Sequence, residues 1–120
     1  MTVKRIVSNI ATSAQAPDPA AAKIFYGEIL GLDLRMDHGW IVTYGSDQTM
    51  AVQISIASEG GSGTPVPDLS IEVEDVDLVC RQMKAAGFPI EYGPVNEPWG
   101  VRRFYVRDPF GKRVNILSHS

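Results

Sequence analysis

The feature that most constrains this chain is that its order of elements occurs twice. The first pass opens with a strand over 3–12, built around Ile6, Ser8 and Ile10. A helix over about 18–30 follows, with chemistry at both ends. Asp18 is a good N-cap, Pro19 suits the first helical position, and Gly31 is placed to end it. Ala22, Phe25, Tyr26 and Ile29 recur at helical spacing and give one apolar face. Three short strands are predicted next, over 32–36, 40–44 and 50–56, with the first two joined by the turn Asp37-His38-Gly39.

After Ser58–Pro67, a stretch rich in Gly, Ser and Pro that reads as a flexible linker, the order starts again. Residues 68–73 form a strand. Asp75 caps a helix over about 75–87 that carries Val76, Val79, Cys80 and Met83 on one face, and Gly87 ends it. Strands over 89–92, 101–107 and 112–117 complete the second copy. The repeat gives two βαβββ modules, about 1–57 and 68–120, and 120 residues suit one α+β domain.

A sheet covered by helices on one face alternates its side chains between the helix layer and the opposite face. Phe104, Val106, Val114 and Ile116 belong to the helix layer, as do Val52, Ile54 and Ile56. The opposite face then gathers Asn9, Gln53, Asp68, Arg103, Tyr105 and Asn115, with Trp40 and Tyr44 from the first module. Trp99 stands beside it on the turn Pro98-Trp99-Gly100. Aromatic rings with a few polar groups are the lining of a ligand cleft. On this assignment Trp99 and Arg103 matter for binding and little for folding, whereas Phe104 matters for folding.

Bulk properties exclude several partners. A net charge of −3 gives no electrostatic case for nucleic acid. No stretch approaches a membrane span or a signal-peptide core, and the single cysteine suits a reducing compartment, so a cytoplasmic protein without membrane association is expected. Cys80 lies on an apolar helix face and reads as a core residue. Gly60-Gly61-Ser62-Gly63 lacks the Lys-Ser/Thr of a phosphate loop. His38 and His119, in a turn and near the C-terminus, form no cluster.

The two-module plan, the helix AAAKIFYGEILGLDL with its Phe25-Tyr26 and Leu30-Gly31-Leu32, and the strand ending DPFGKRVNIL resemble the vicinal oxygen chelate superfamily. That group contains glyoxalase I, extradiol dioxygenases and bleomycin-resistance proteins. The resemblance covers essentially the whole chain and implies a curved mixed sheet around a cleft, with helices outside. Pro98-Trp99-Gly100 with Arg102 and Phe104 is similar to the strand that borders the drug groove of bleomycin-resistance proteins.

The resemblance also implies four ligand positions for metal-dependent members, which fall here on Asn9, Gln53, Asp68 and Asn115. Three neutral amides and one carboxylate are poor donors for zinc or iron. The expectation is therefore metal-free and cofactor-free binding of a small aromatic or amphipathic molecule. Trp40, Trp99, Tyr44 and Tyr105 would stack on it, and Arg103, Asp68, Asn9, Gln53 and Asn115 would orient it. A homodimer is expected, since short chains of this family pair to complete the groove. The enzyme alternative is a lyase, isomerase or dioxygenase using a hard cation at Asp68, or acid-base chemistry by Asp68 or Glu72. An interaction module with a cleft filled by side chains is the third reading.

Overall fold

The computed structural model describes residues 4–50 and 53–119. Asp18 opens the first helical segment, its carboxylate accepting from the Ala20 N–H at 3.0 Å. A 3₁₀ turn, Pro19–Ala21, leads into a π-helix, Lys23–Ile29, where an α-helix was expected. The wider winding shows at its end, where Leu30 N–H donates to the carbonyl of Phe25, five residues back, at 3.2 Å. Phe25 and Tyr26 are its buried residues. Strands β1 (Asp33–Asp37) and β2 (Val42–Gly45) then form a separate antiparallel hairpin.

The second half follows the expected order. It runs β3 (Leu69–Glu72), α1 (Val76–Ala85), β4 (Ile90–Asn96), β5 (Val101–Arg107) and β6 (Arg113–His119). The sheet order is β3-β6-β5-β4, with β3 parallel to β6 and the other pairs antiparallel, so the sheet is mixed and the class α+β. Asp75 caps α1 by accepting from Leu78 N–H at 3.0 Å.

The core lies between the helices and one face of this sheet. Phe25, Tyr26, Val76, Val79, Cys80 and Met83 pack on Phe104, Val106, Val114 and Ile116. The alternation expected for β5 and β6 therefore holds. Burial raises the pKa of the Cys80 thiol, as suits an inert core residue. Arg102 reaches the helix side, where its guanidinium takes both carboxylate oxygens of Asp77 on α1 at 2.9–3.2 Å.

The β5–β6 turn is tied into this core. Asp108 Oδ1 accepts from Phe110 and Lys112 N–H at 2.9 and 2.8 Å, closing the turn. Its Oδ2 accepts from the Tyr26 hydroxyl at 2.7 Å. Burial, then the hydrogen bond to Asp108 and its charge, push the Tyr26 phenol far above the usual tyrosine range, so it stays a donor.

Edge strand β4 carries a bulge where its register shifts between Tyr92 and Val95. Gly93 takes φ +76 there, and a Cβ on it would stand 2.5 Å from the Arg103 carbonyl, so the backbones approach too closely for any other residue. Pro94 beside it offers no N–H, which only an edge tolerates.

Two expectations for the first half are not met. Residues 4–12 and 53–57 carry no β-ladder among the described residues, and 1–3, 51 and 52, part of the strands expected there, lie outside them. Ile6, Val7, Ile54 and Ile56 are left at least half exposed. A strand needs a neighbour for its N–H and C=O groups. In the second half β5 supplies one to β6, and β6 to β3; the isolated β1–β2 hairpin supplies none to these segments.

The glycine-rich linker is also not a free tether. Gly60 N–H donates to Thr64 C=O at 2.8 Å and Thr64 N–H to Gly61 C=O at 2.9 Å, and the resulting strap lies across β5. No helix among the described residues is long and apolar enough to cross a membrane.

Candidate functional site

On the face away from α1, β5 presents Arg103 and Tyr105 to a buried polar cluster. Arg103 is only 4% exposed. Its Nε and Nη2 both meet Glu97 Oε2, at 2.9 and 2.7 Å. Three rings surround the guanidinium, with centroids at 5.5 Å for Tyr92 and 5.0 Å for both Trp99 and Tyr105. Each such contact stabilises a desolvated cation by up to about 2 kcal/mol. Glu97 Oε1 accepts from Tyr92 Oη at 3.1 Å and Ser62 Oγ at 3.2 Å. The charges cancel inside the cluster, and the site is neutral as a whole.

The turn 97–100 positions Trp99. Glu97 N–H donates to Val101 C=O at 2.7 Å and Gly100 N–H to Glu97 C=O at 3.2 Å, which holds Trp99 half-exposed against the strap. Tyr105 reaches the same strap, with its hydroxyl 3.1 Å from the Pro65 carbonyl and 3.0 Å from Thr64 Oγ1.

One strand over, Asn115 is the register partner of Tyr105 and shares its face. Its Nδ2 donates to Ser70 Oγ on β3 at 3.2 Å. Its Oδ1 is buried and has no donor among the described residues. An orphan acceptor of this kind costs about 1–3 kcal/mol in desolvation, so it calls for an explanation.

Trp99, Arg103, Tyr105 and Asn115 are thus brought together. The other candidates lie elsewhere. The Asp68 carboxylate accepts from Arg113 N–H at 2.8 Å and fastens the start of β6. Trp40 is 79% exposed beside the β1–β2 hairpin. Tyr44 packs against the core and lines a shallow pocket of about 270 Å³ with Lys23, Glu28 and Asp37. Asn9 and Gln53 are exposed on the unpaired segments. No hydrogen bond or ring contact links these five to the Arg103 cluster among the described residues.

Sequence reasoning missed Tyr92, Glu97 and the strap. Tyr92 could have been found from pairing, because it stands opposite Tyr105. Glu97 had a chemical signal: an arginine on an inward face requires a nearby carboxylate. The expectation that Arg103 contributes little to folding is corrected here, since its charge is buried in an ion pair.

The residues at the four positions that the resemblance implies for a metal do not fit a transition metal. Asn9, Gln53 and Asn115 offer neutral amide donors, and the Asp68 carboxylate is engaged with the backbone. Among the described residues no three His, Cys, Asp or Glu side chains converge on a common point.

Solved structures share the fold. A glyoxalase/bleomycin resistance protein/dioxygenase superfamily member from Sphaerobacter thermophilus DSM 20745 aligns with TM-score 0.63 at 20% identity, covering 99% of this chain and 98% of its own. TnmS3, an antibiotic binding protein from Streptomyces sp. CB03234, gives 0.59 at 24%, covering 95% and 98%. Lactoylglutathione lyase from Agrobacterium tumefaciens gives 0.56 at 21%, covering 94% and 95%. No curated protein matches the chain. The family model matches residues 9–116, and the chain belongs to the Glyoxalase/Bleomycin resistance protein/Dioxygenase superfamily.

Proposed function

We propose that this chain is a single cytoplasmic domain that binds a small aromatic or amphipathic molecule without a metal, on the wall made by Trp99, Arg103, Tyr105 and Asn115. The observation that carries the reading is the buried Oδ1 of Asn115, an acceptor without a donor beside a face of aromatic rings. A ligand N–H or O–H would satisfy it. The antibiotic-binding relative supports binding, and the neutral amides of Asn9, Gln53 and Asn115 support a site without a metal.

Two copies complete the groove in this reading. The apolar Ile6, Val7, Ile54 and Ile56, at least half exposed, are more surface than a monomer commonly leaves open, and a second copy would cover them. Asn9, Gln53 and Trp40 then enter the groove from the first module, while Tyr44 and Asp68 serve as framework.

A thermal-shift screen of the purified chain with chelator present tests this. Aromatic amides and amphipathic compounds should raise the melting temperature, and Asn115→Leu should fold yet lose about tenfold in affinity for the hits, the worth of one buried hydrogen bond. Hits that need added zinc or iron, or that bind Asn115→Leu unchanged, would sink the reading.

A further inference from the structure

The donors of the candidate site are already occupied, and by main chain. Arg103 Nη1 donates to the Gly60 carbonyl at 2.7 Å and Nη2 to that of Gly61 at 3.3 Å, while the Tyr105 hydroxyl lies 3.1 Å from the Pro65 carbonyl. The strap reaches them by a path that two glycines take freely and one serine does not. Gly61, Ser62 and Gly63 take φ of +85, +51 and +74, and Ser62 is the one non-glycine residue with positive φ among those described. That region disfavours a side chain.

We propose that residues 60–65 are a displaceable internal stand-in for the ligand, and that their chemistry names its class. The proposal rests on the binding reading above and adds how the site is regulated. The strap offers uncharged carbonyl oxygens to Arg103 and Tyr105. Glu97 already neutralises Arg103. An anionic ligand would place a second, uncompensated negative charge in a buried site. The replacement must therefore bring neutral acceptors. Asn115 Oδ1, which the strap leaves without a donor among the described residues, asks in addition for a donor, which an N–H supplies. Half-exposed Trp99 supplies a flat cover over Arg103. Together these select an uncharged planar imide, lactam or amide, with carbonyl and N–H groups side by side on an aromatic frame. Because the strap must leave first, wild-type affinity is reduced by the fraction of molecules in which it is closed.

Gly60 gives the test. A Cβ there would lie 2.1 Å from the Pro65 carbonyl, 2.4 Å from Tyr105 Oη and 2.6 Å from Thr64 Oγ1, so Gly60→Ala unseats the strap without altering a site side chain. Thr64→Val is a milder second variant, removing the hydroxyl that donates to Gly61 C=O at 2.7 Å. If Gly60→Ala fails to fold, Thr64→Val carries the comparison. Hydrogen exchange at the amides of Gly60 and Thr64, without ligand, reports opening. Binding of 1,8-naphthalimide, a neutral planar imide, and of the anion 1-naphthoate is then measured for each protein by calorimetry. Naphthalimide should bind about tenfold tighter to Gly60→Ala and about threefold tighter to Thr64→Val than to wild type. Naphthoate should bind more weakly than naphthalimide to all three. Faster exchange at both amides with unchanged or weaker naphthalimide affinity overturns the strap's role. Preference for naphthoate, or no naphthalimide binding to any variant, overturns the ligand class. Either failure leaves the binding reading to be judged on the wild-type screen.

Discussion

Tyr26 and Asp108, far apart in sequence, meet through a hydrogen bond of 2.7 Å that joins the π-helix to the β5–β6 turn. Asp108 also closes its own turn through two backbone N–H groups. The two most recognisable sequence elements of the chain, the Phe-Tyr pair and the Asp-Pro-Phe-Gly turn, are thus two halves of one structural joint.

Tyr26→Phe should therefore destabilise the fold by about 1.5–3 kcal/mol, the range for a hydrogen bond to a charged group. Urea denaturation would measure it, with no change of m-value expected. A cost below about 0.5 kcal/mol would mean that the joint contributes little.

Arg103→Ala and Glu97→Gln should each cost about 3–5 kcal/mol, because either leaves an uncompensated buried charge or its unpaired partner. That is the range of Phe104→Ala, a fully buried core truncation. Trp99→Ala, at a half-exposed ring, should melt near wild type. Replacing both members of the pair by Met and Gln should recover much of the loss. Chemical denaturation of the four single variants and the double one checks the order, and a stable Arg103→Ala would show that the buried pair contributes little.

Acid should weaken the fold through two carboxylates. At Glu91 burial opposes ionisation, but hydrogen bonds from Arg107 and Arg113 outweigh it and lower the pKa from 4.5. At Asp77 the hydrogen bond from Arg102 leads, lowering it from 3.8. A carboxylate depressed in the folded state binds its proton more tightly when unfolded, so its stabilisation is present above those ordinary values. It is lost as pH falls through the lower folded values. Melting temperature should be flat near neutrality and fall below pH 4.5, less steeply in Glu91→Gln. All three ion pairs are partly exposed, so salt should flatten the slope further. A melting temperature that rises on acidification would contradict this.

Gly93→Ala should be among the most damaging single-methyl changes. Its Cβ would strike the Arg103 carbonyl at 2.5 Å, and φ +76 disfavours a side chain besides. A loss of about 1–3 kcal/mol is expected from the forced shift. A comparison with Gly87→Ala, which has φ +87 but open space, separates the clash from the dihedral cost. Equal effects would show that the bulge yields easily.

The second half was legible in the sequence because local signals and tertiary needs agree there. Asp75, the stripe Val76-Val79-Cys80-Met83 and the alternation through Phe104, Val106, Val114 and Ile116 all point to one packing. The first half was less so. Apolar alternation around Ile6 and Ile54 marks a wish for a strand partner, and a sequence carries no word on whether one is at hand. The site was half legible for a related reason. Trp99, Arg103, Tyr105 and Asn115 follow from period-two counting along β5 and β6, with one turn residue beside them. The strap follows from no period, since a Gly-Ser-Gly run shows freedom of path and hides where the path leads.

The sheet of the second half has unlike borders. On β4 the bulge at Gly93 and the missing N–H of Pro94 interrupt the row of groups another strand would need. On β3 that row is intact, and its outer side pairs with no strand among the described residues. Growth by strand addition is therefore one-sided. If two copies join through the β3 border about a two-fold axis, each covers the receptive margin of the other's four-stranded sheet. Such a pair leaves neither border of its four-stranded sheets open to a third copy, and the sheet that holds the candidate site is thereby kept from stacking without end.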